Sequence, residues 1–193
     1  MADGTTHLDT LDALLSAAKK AGADAADALI YDATDHSKEA IAEMVTRAVA
    51  MAKAAPEDPW CGIADPGQLA TEFADLDICD PTEPDPDRMV AMAAEAEDAA
   101  RAIIGVTNSE GAEASWSHAN VAVAATNGFA RGYSMSSHSL SVSVLAGEGT
   151  SMERDYDYST AVYGSDLTDP AELGRNAGTR AVQRLNARKV GTQ

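Results

Sequence analysis

Residues 139–146, SLSVSVLA, alternate between polar serines and apolar side chains. Because successive side chains of a β-strand point to opposite faces of a sheet, Leu140, Val142 and Val144 share one face and the serines share the other. A sheet with one apolar face is stable only when a second layer covers that face. This segment therefore predicts a sheet that packs on one side against other elements.

The neighbouring segments continue the β pattern. Residues 119–125 alternate as a strand, Thr126-Asn127-Gly128 is a hairpin signal, and residues 129–134 return along it. Gly147-Glu148-Gly149 then turns the chain into a strand over 152–160. We predict an antiparallel meander of three to five strands.

Helical spacing of apolar residues, with caps and stop signals, predicts four helices. The second begins with Thr34 or Asp35 as its cap and ends before Pro56, and the third follows the cap pair Asp85-Pro86. The last opens at Thr168 or Asp169, and a short strand is predicted at 28–31. The predicted helices span about residues 8–20, 36–55, 87–103 and 170–186. The fold class is α+β, with alanine-rich helices packed on an antiparallel β-meander.

The predicted organisation has three segments that form one compact unit. Residues 1–55 hold the N-terminal helices and the short strand, and residues 87–193 hold a helix, the meander and the terminal helix. Between them, residues 56–86 contain six prolines and many acids, which predicts an extended connection along the surface. Large apolar side chains in it, such as Trp60 and Phe73, are expected to anchor it.

The charge is strongly acidic and unevenly placed. The formal net charge is -17, and residues 1–100 hold six Lys or Arg against 22 Asp or Glu. Such a field repels phosphate backbones and anionic lipid, so nucleic acid and membrane surfaces are poor partners. The apolar runs are too short to span a bilayer, and the opening MADGTTHLDT lacks the plan of a signal peptide. A cytoplasmic protein is expected.

The strong catalytic motifs do not occur in the sequence. There is no HExxH, Walker loop, GxSxG or paired CxxC, and His118 and His138 alone do not make a zinc site. The densest polar cluster places Glu153, Asp155 and Asp157 on one strand face. Those carboxylates could share a proton or hold a cation, or they could be ion-paired with Arg131 or the basic terminal helix. The second interpretation is favoured, and no catalytic or metal-binding residue is predicted.

Four stretches carry a likeness to a known family. They are GADAADALI at 22–30, AAPEDPWCGIADPGQLA at 54–70, the run from TNSEGAEAS to RDYDYSTA at 107–161, and LGRNAGTRAVQRLNARKV at 173–190. The sequence resembles the TldD/PmbA metallopeptidase family, specifically the N-terminal half of a PmbA-like (TldE-like) subunit. The likeness covers nearly the whole chain after its first residues.

The resemblance implies a cytoplasmic protein that pairs with a TldD-like metallopeptidase subunit in a complex acting on peptides, and it links the chain to modulation of DNA gyrase. In that family the zinc ligands belong to an HExxxH-type motif in the C-terminal half of TldD. Zinc is therefore expected only in the partner, and no cofactor in this chain. Relative to the family, strands are missing after Asp32. The gap is explained by a deletion, by a natural short form or by omission of unordered residues. If strands are deleted, the remaining edge strand needs another partner, which favours self-association.

Three functional hypotheses result. The first is a non-catalytic domain that binds the partner subunit or helps to form a peptide channel. The second is a truncated fragment without an independent role, and the third is a freestanding acid/base enzyme that uses the Glu153, Asp155 and Asp157 face with His138. The predicted partner or peptide contacts are Arg131, His138, Met152, Arg154 and Tyr156.

Overall fold

The structure is a computed structural model in which residues 37–54, 56, 60, 62–188 and 191 are described. The helix predicted at 8–20, the strand predicted at 28–31 and the interruption after Asp32 lie outside the described residues. Within them, three α-helices and a three-stranded antiparallel sheet confirm the α+β fold. None of these helices combines the length and the apolarity that a membrane span requires.

The elements follow one another as the sequence pattern predicts. In chain order they are α1 (Lys38–Ala54), α2 (Pro86–Arg101), β1 (Val106–Ala124), β2 (Ala130–Ala146), β3 (Glu153–Ala161) and α3 (Pro170–Gln183). The strand order in the sheet is β1-β2-β3, so β2 is central. Two predicted strands, 129–134 and 139–146, are parts of the single strand β2.

Two compact units alternate along the chain. The first comprises the described residues up to Leu76 together with the hairpin tip Asn120–Tyr133, and the second comprises Asp77–Ala119 and the chain from Ser134 onward. Strands β1 and β2 therefore contribute to both units. The three consecutive segments predicted from composition do not include this return of the chain to the first unit at Asn120–Tyr133.

In the first unit, α1 begins after Ser37, whose hydroxyl accepts a hydrogen bond from the Ala40 N–H at 3.2 Å. The Asn127 side chain at the hairpin tip donates to the Ala64 carbonyl at 2.9 Å. Contrary to expectation, Trp60 and Phe73 of the connection are not buried: Trp60 is 93% exposed and Phe73 is 51% exposed. Phe73 instead packs beside Phe129, with ring centroids 6.1 Å apart.

In the second unit, the caps of α2 and α3 are those that the sequence predicts. The Asp85 carboxylate accepts from the Asp87 N–H, and the Asp169 carboxylate accepts from the Glu172 N–H. A proline follows each cap, at a position where the missing N–H costs no helical hydrogen bond. Both helices therefore begin within one residue of the predicted position.

Small residues let α2 and α3 pack closely. A Cβ at Gly174 would lie 2.1 Å from the Ala96 carbonyl oxygen, and one at Gly178 would lie 2.7 Å from that of Ala100. The core beside this crossing combines residues of α2 and α3 with the alternate side chains of β2 that the sequence places on one face. Its fully buried members are Ala96, Ala100, Leu140, Val142, Val144, Ala146, Leu173, Ala177 and Ala181.

The register of β2 with β3 defines two sheet faces. Val142 lies opposite Asp157 and Val144 opposite Asp155 on the face toward the core, which we call the core face. On the other side, Ser143 lies opposite Tyr156 and Ser141 opposite Tyr158. We call this side, which also carries Glu110 and Arg154, the open face.

Candidate functional site

A buried polar pair lies at the end of the apolar row on β2. His138 is 5% exposed and Asp80 is 8% exposed, and His138 Nε2 lies 3.4 Å from Asp80 Oδ2. That distance allows an ion pair when the imidazole is protonated, yet Nε2 makes no hydrogen bond of acceptable geometry. Nε2 therefore faces the carboxylate without a well-aligned hydrogen bond to it.

Backbone amides hold the Asp80 carboxylate in place. Oδ1 accepts the Thr82 N–H at 2.8 Å and Oδ2 accepts the Gly164 N–H at 3.1 Å. These two donors, with the His138 side chain, outweigh burial and lower the pKa of Asp80 below its usual 3.8. The carboxylate is thus kept ionised, and it ties the segment before α2 to the segment before α3.

Ser136 and Tyr163 extend this cluster. The Ser136 hydroxyl accepts the Asp80 N–H at 2.7 Å and donates to the Val162 carbonyl at 3.0 Å. The Tyr163 hydroxyl donates to Asp77 Oδ1 at 2.6 Å, which raises the pKa of Tyr163 to about 12. The polar groups at this end of β2 therefore form a connected network that fixes two loops on the strand.

The acidic face of β3 is ion-paired. Arg184 donates to Asp155 at 2.9 Å, and Arg180 donates to Asp157 at 3.1 Å. Burial raises the pKa of Asp155, but the hydrogen bonds from Arg184 and from the Tyr156 N–H outweigh it, and the net shift is downward. The interpretation that these acids meet the basic terminal helix is confirmed, whereas Arg131 is not their partner.

The open face carries exposed aromatic and charged groups. Glu110 Oε2 accepts from the Ser143 hydroxyl at 2.6 Å and from Arg154 at 3.2 Å, and these bonds lower the pKa of Glu110. Next to them, the rings of Tyr156 and Tyr158 stack with centroids 6.3 Å apart. The two tyrosines are 50% and 63% exposed, so this surface presents aromatic area to solvent.

Comparison with known proteins assigns the family. The PmbA/TldA metallopeptidase central domain matches residues 79–185, more than half of the chain. The chain belongs to the PmbA/TldD family. Metalloprotease PmbA of Escherichia coli O157:H7 is 40% identical over 161 residues, which are 82% of this chain and 36% of that protein. A PmbA homologue of Haemophilus influenzae is 34% identical over 83% of this chain and 36% of its own length. The chain thus spans about a third of each relative.

Solved structures share the fold of this PmbA/TldD-family chain. A protein from Bacteroides thetaiotaomicron, named as a modulator of DNA gyrase, superposes with a TM-score of 0.72 at 22% identity, over 82% of this chain and 37% of that one. TldE from Thermococcus kodakarensis gives 0.55 at 18% identity, over 79% and 34%. At these identities the likeness establishes the fold.

The family name raises the question of a metal. Among the residues that the structure describes, no group of three or more His, Cys, Asp or Glu side chains could hold one. Asp80 and His138 supply only two side chains of these types, and both Asp80 oxygens already accept backbone N–H groups. Zinc takes three or four converging ligands, so the described residues do not fit it.

The five predicted contact residues fall in three places. Arg154 and Tyr156 share the open face, and Met152, 48% exposed, directly precedes β3. Arg131 belongs to the other unit, where its guanidinium lies 4.6 Å from the centre of the Phe73 ring. His138 is buried on the core face and does not join them.

Sequence reasoning missed Asp80 and Tyr163. Asp80-Pro81-Thr82 is a turn sequence in which the Asp side chain bonds the backbone two residues on, as the structure shows. That signal indicates a turn, but it does not reveal that the carboxylate is buried beside a histidine 58 positions away in the chain.

Proposed function

We propose that this chain is a non-catalytic part of a PmbA/TldE-like subunit, and that it contacts a TldD-like metallopeptidase subunit of a peptide-processing complex through the open face. The observation that carries the proposal is the exposed Arg154, Tyr156 and Tyr158 surface. Tyrosine and arginine are enriched in protein interfaces and supply much of their binding energy. The central-domain match and the name of the Escherichia coli relative support the metallopeptidase context.

The geometry weighs against the freestanding acid/base enzyme. Asp155 and Asp157 are committed to Arg184 and Arg180. Asp157 lies opposite Val142, four residues along β2 from His138. A general acid or base must reach the proton that it transfers, and these carboxylates are oriented into ion pairs. In the proposed complex, zinc is supplied by the partner subunit.

Sizing with light scattering, on this chain alone and mixed with a TldD-like subunit, tests the proposal. We expect a mixed complex whose zinc and peptidase activity accompany the TldD-like subunit. Tyr156→Ala should weaken the complex at least about tenfold, because a central aromatic contact contributes on the order of 2 kcal/mol. Tyr133→Ala is the matched control, since Tyr133 is equally exposed, at 50%, but belongs to the other unit.

Three outcomes contradict the proposal. One is the absence of any mixed species at micromolar concentration. Another is peptide cleavage by this chain alone. The third is equal weakening by the Tyr156 and Tyr133 variants, which would show that the open face has no special role.

A further inference from the structure

A cavity of about 620 Å³ lies within the second unit, between the beginnings of α2 and α3. The loop before α2 and the loop before α3 form its sides, and residues of β1 and β2 contribute the rest of the wall. Its volume falls in the range of small-molecule sites in proteins. The helices contact each other near Gly174 and Gly178, further along α3, whereas the cavity lies beside the N-terminal half of α2 and the first residue of α3, Pro170.

The cavity wall carries two formal charges, on Arg88 and on Asp80. Arg88 lines it, is exposed, and makes no ion pair with any described residue. Asp80 keeps its negative charge, but it already accepts the Thr82 and Gly164 amides and lies 3.4 Å from His138 Nε2, so Arg88 is the charged side chain in the wall without a described partner. A planar guanidinium without a partner is suited to a carboxylate, which it binds through two parallel hydrogen bonds.

The remaining wall combines apolar and hydrogen-bonding groups. Met89 and Met92 of α2, with Leu167, provide flexible apolar surface that adapts to an aliphatic chain. His138 also lines the cavity, 95% buried, with its Nε2 3.4 Å from Asp80 Oδ2.

The charge of the whole chain restricts the ligand further. At a net charge of -17, the protein repels a dianion about twice as strongly as a monoanion. Phosphate and dicarboxylates are therefore disfavoured relative to a single carboxylate.

We propose that this cavity binds a monocarboxylate carried on an aliphatic chain, with Arg88 on the carboxylate and Met89, Met92 and Leu167 against the chain. The carboxylate belongs either to a small organic acid or to the C-terminus of a peptide. The site is contained in this chain and does not depend on the function proposed above.

Titration of the full 193-residue chain with hexanoate, followed by NMR shifts of the Thr82 and Gly164 amides, tests the site. We expect saturable binding, and binding of hexanamide and of inorganic phosphate at least about tenfold weaker. Arg88→Gln should weaken hexanoate binding by a similar factor. Arg175→Gln is the matched control, because Arg175 is an exposed helical arginine that does not line the cavity.

A short leucine-terminated peptide, with a free or an amidated C-terminus, distinguishes the two sources of the carboxylate. Tighter binding of the free peptide than of hexanoate identifies a peptide C-terminus, and the reverse order identifies a small acid. The site is disproved if neither the free peptide nor hexanoate binds saturably, if hexanamide binds as well as hexanoate, or if the two arginine variants behave alike.

Discussion

At the scale of single residues, Asp80 and His138 replace an apolar contact at the end of the β2 row with a polar one. Leu140, Val142 and Val144 are buried apolar side chains of this row, whereas His138, next in the same row, lies 3.4 Å from a buried carboxylate. The cost of burying Asp80 is offset by two backbone donors. The polar pair therefore fixes where two loops attach, a role that an apolar side chain cannot perform.

The lowered pKa of Asp80 makes its contribution to stability depend on pH. The folded pKa lies below the unfolded value of 3.8, so the contribution is fully present above that pH and is lost as pH falls through the folded pKa. Asp80→Asn should lower the urea midpoint at pH 7, and the difference from the parent chain should shrink below pH 3.8. Glu95→Gln, an exposed change on α2, controls for general charge effects. A difference that stays constant with pH would contradict this account.

Tyr163 offers a spectroscopic test of the same network. Its hydrogen bond to Asp77 raises its pKa to about 12, so the stability it contributes is present below pH 10 and is lost as pH rises toward 12. The chain has five tyrosines. In Tyr163→Phe, the tyrosinate absorbance titration should lose its step near pH 12. Tyr158→Phe should retain that step, and loss of the step in both variants would contradict the assignment.

At the scale of elements, the contact between α2 and α3 depends on two glycines one helical turn apart. Gly174→Ala would place a methyl group 2.1 Å from the Ala96 carbonyl oxygen, so the helices must separate. Overpacking of this kind costs about 3 kcal/mol, although alanine is the better helix former. The free energy of unfolding in urea should fall by that amount. Thr179→Ala, an exposed change on the same helix, should alter it by less than about 0.5 kcal/mol; similar losses in both variants would argue against a close crossing.

Elements whose signals are local were predicted well. Asp85 and Asp169 cap their helices by hydrogen bonds to N–H groups two or three residues away, so the neighbouring residues are sufficient to predict each helix start. The alternation of β2 likewise identified its buried face. The sequence did not show that residues 129–134 and 139–146 form one strand, because the polar Ser136 interrupts the apolar row. In the structure Ser136 is nevertheless buried, since its hydroxyl bonds the Asp80 N–H and the Val162 carbonyl.

Contacts between distant segments could not be read from the sequence. The exposure of Trp60 and Phe73 was mispredicted because apolar character alone does not specify how much of a side chain its neighbours cover: Phe73 packs beside Phe129 and is still 51% exposed. The same limit applies to the candidate site. Charge and alternation placed the β3 acids on one face but left both Arg131 and the terminal helix open as partners. The cavity depends on how two helix beginnings and two loops meet, which no spacing rule specifies.

At the scale of the whole molecule, burial is concentrated in the second unit. Strand β2 passes through both units, and from Ser136 to Ala146 every second residue is buried. The hairpin tip Asn120–Tyr133 contains no buried residue. Strand β2 is therefore continuous in its pairing, although its side chains are buried only in the part that belongs to the second unit.

Local stability follows packing more closely than hydrogen bonding, because a segment with few buried contacts opens without disrupting the core. We therefore expect amide hydrogen exchange to be at least about 100-fold slower in residues 138–146 than in residues 130–133 of the same strand. Exchange read by NMR at neutral pH measures both segments in one sample. In the Gly174→Ala variant, the difference between the exchange rates of residues 130–133 and 138–146 should become smaller. The substitution weakens the core that protects residues 138–146 and leaves the hairpin tip unaffected. Equal protection along β2 would instead mean that the strand opens as a single cooperative segment.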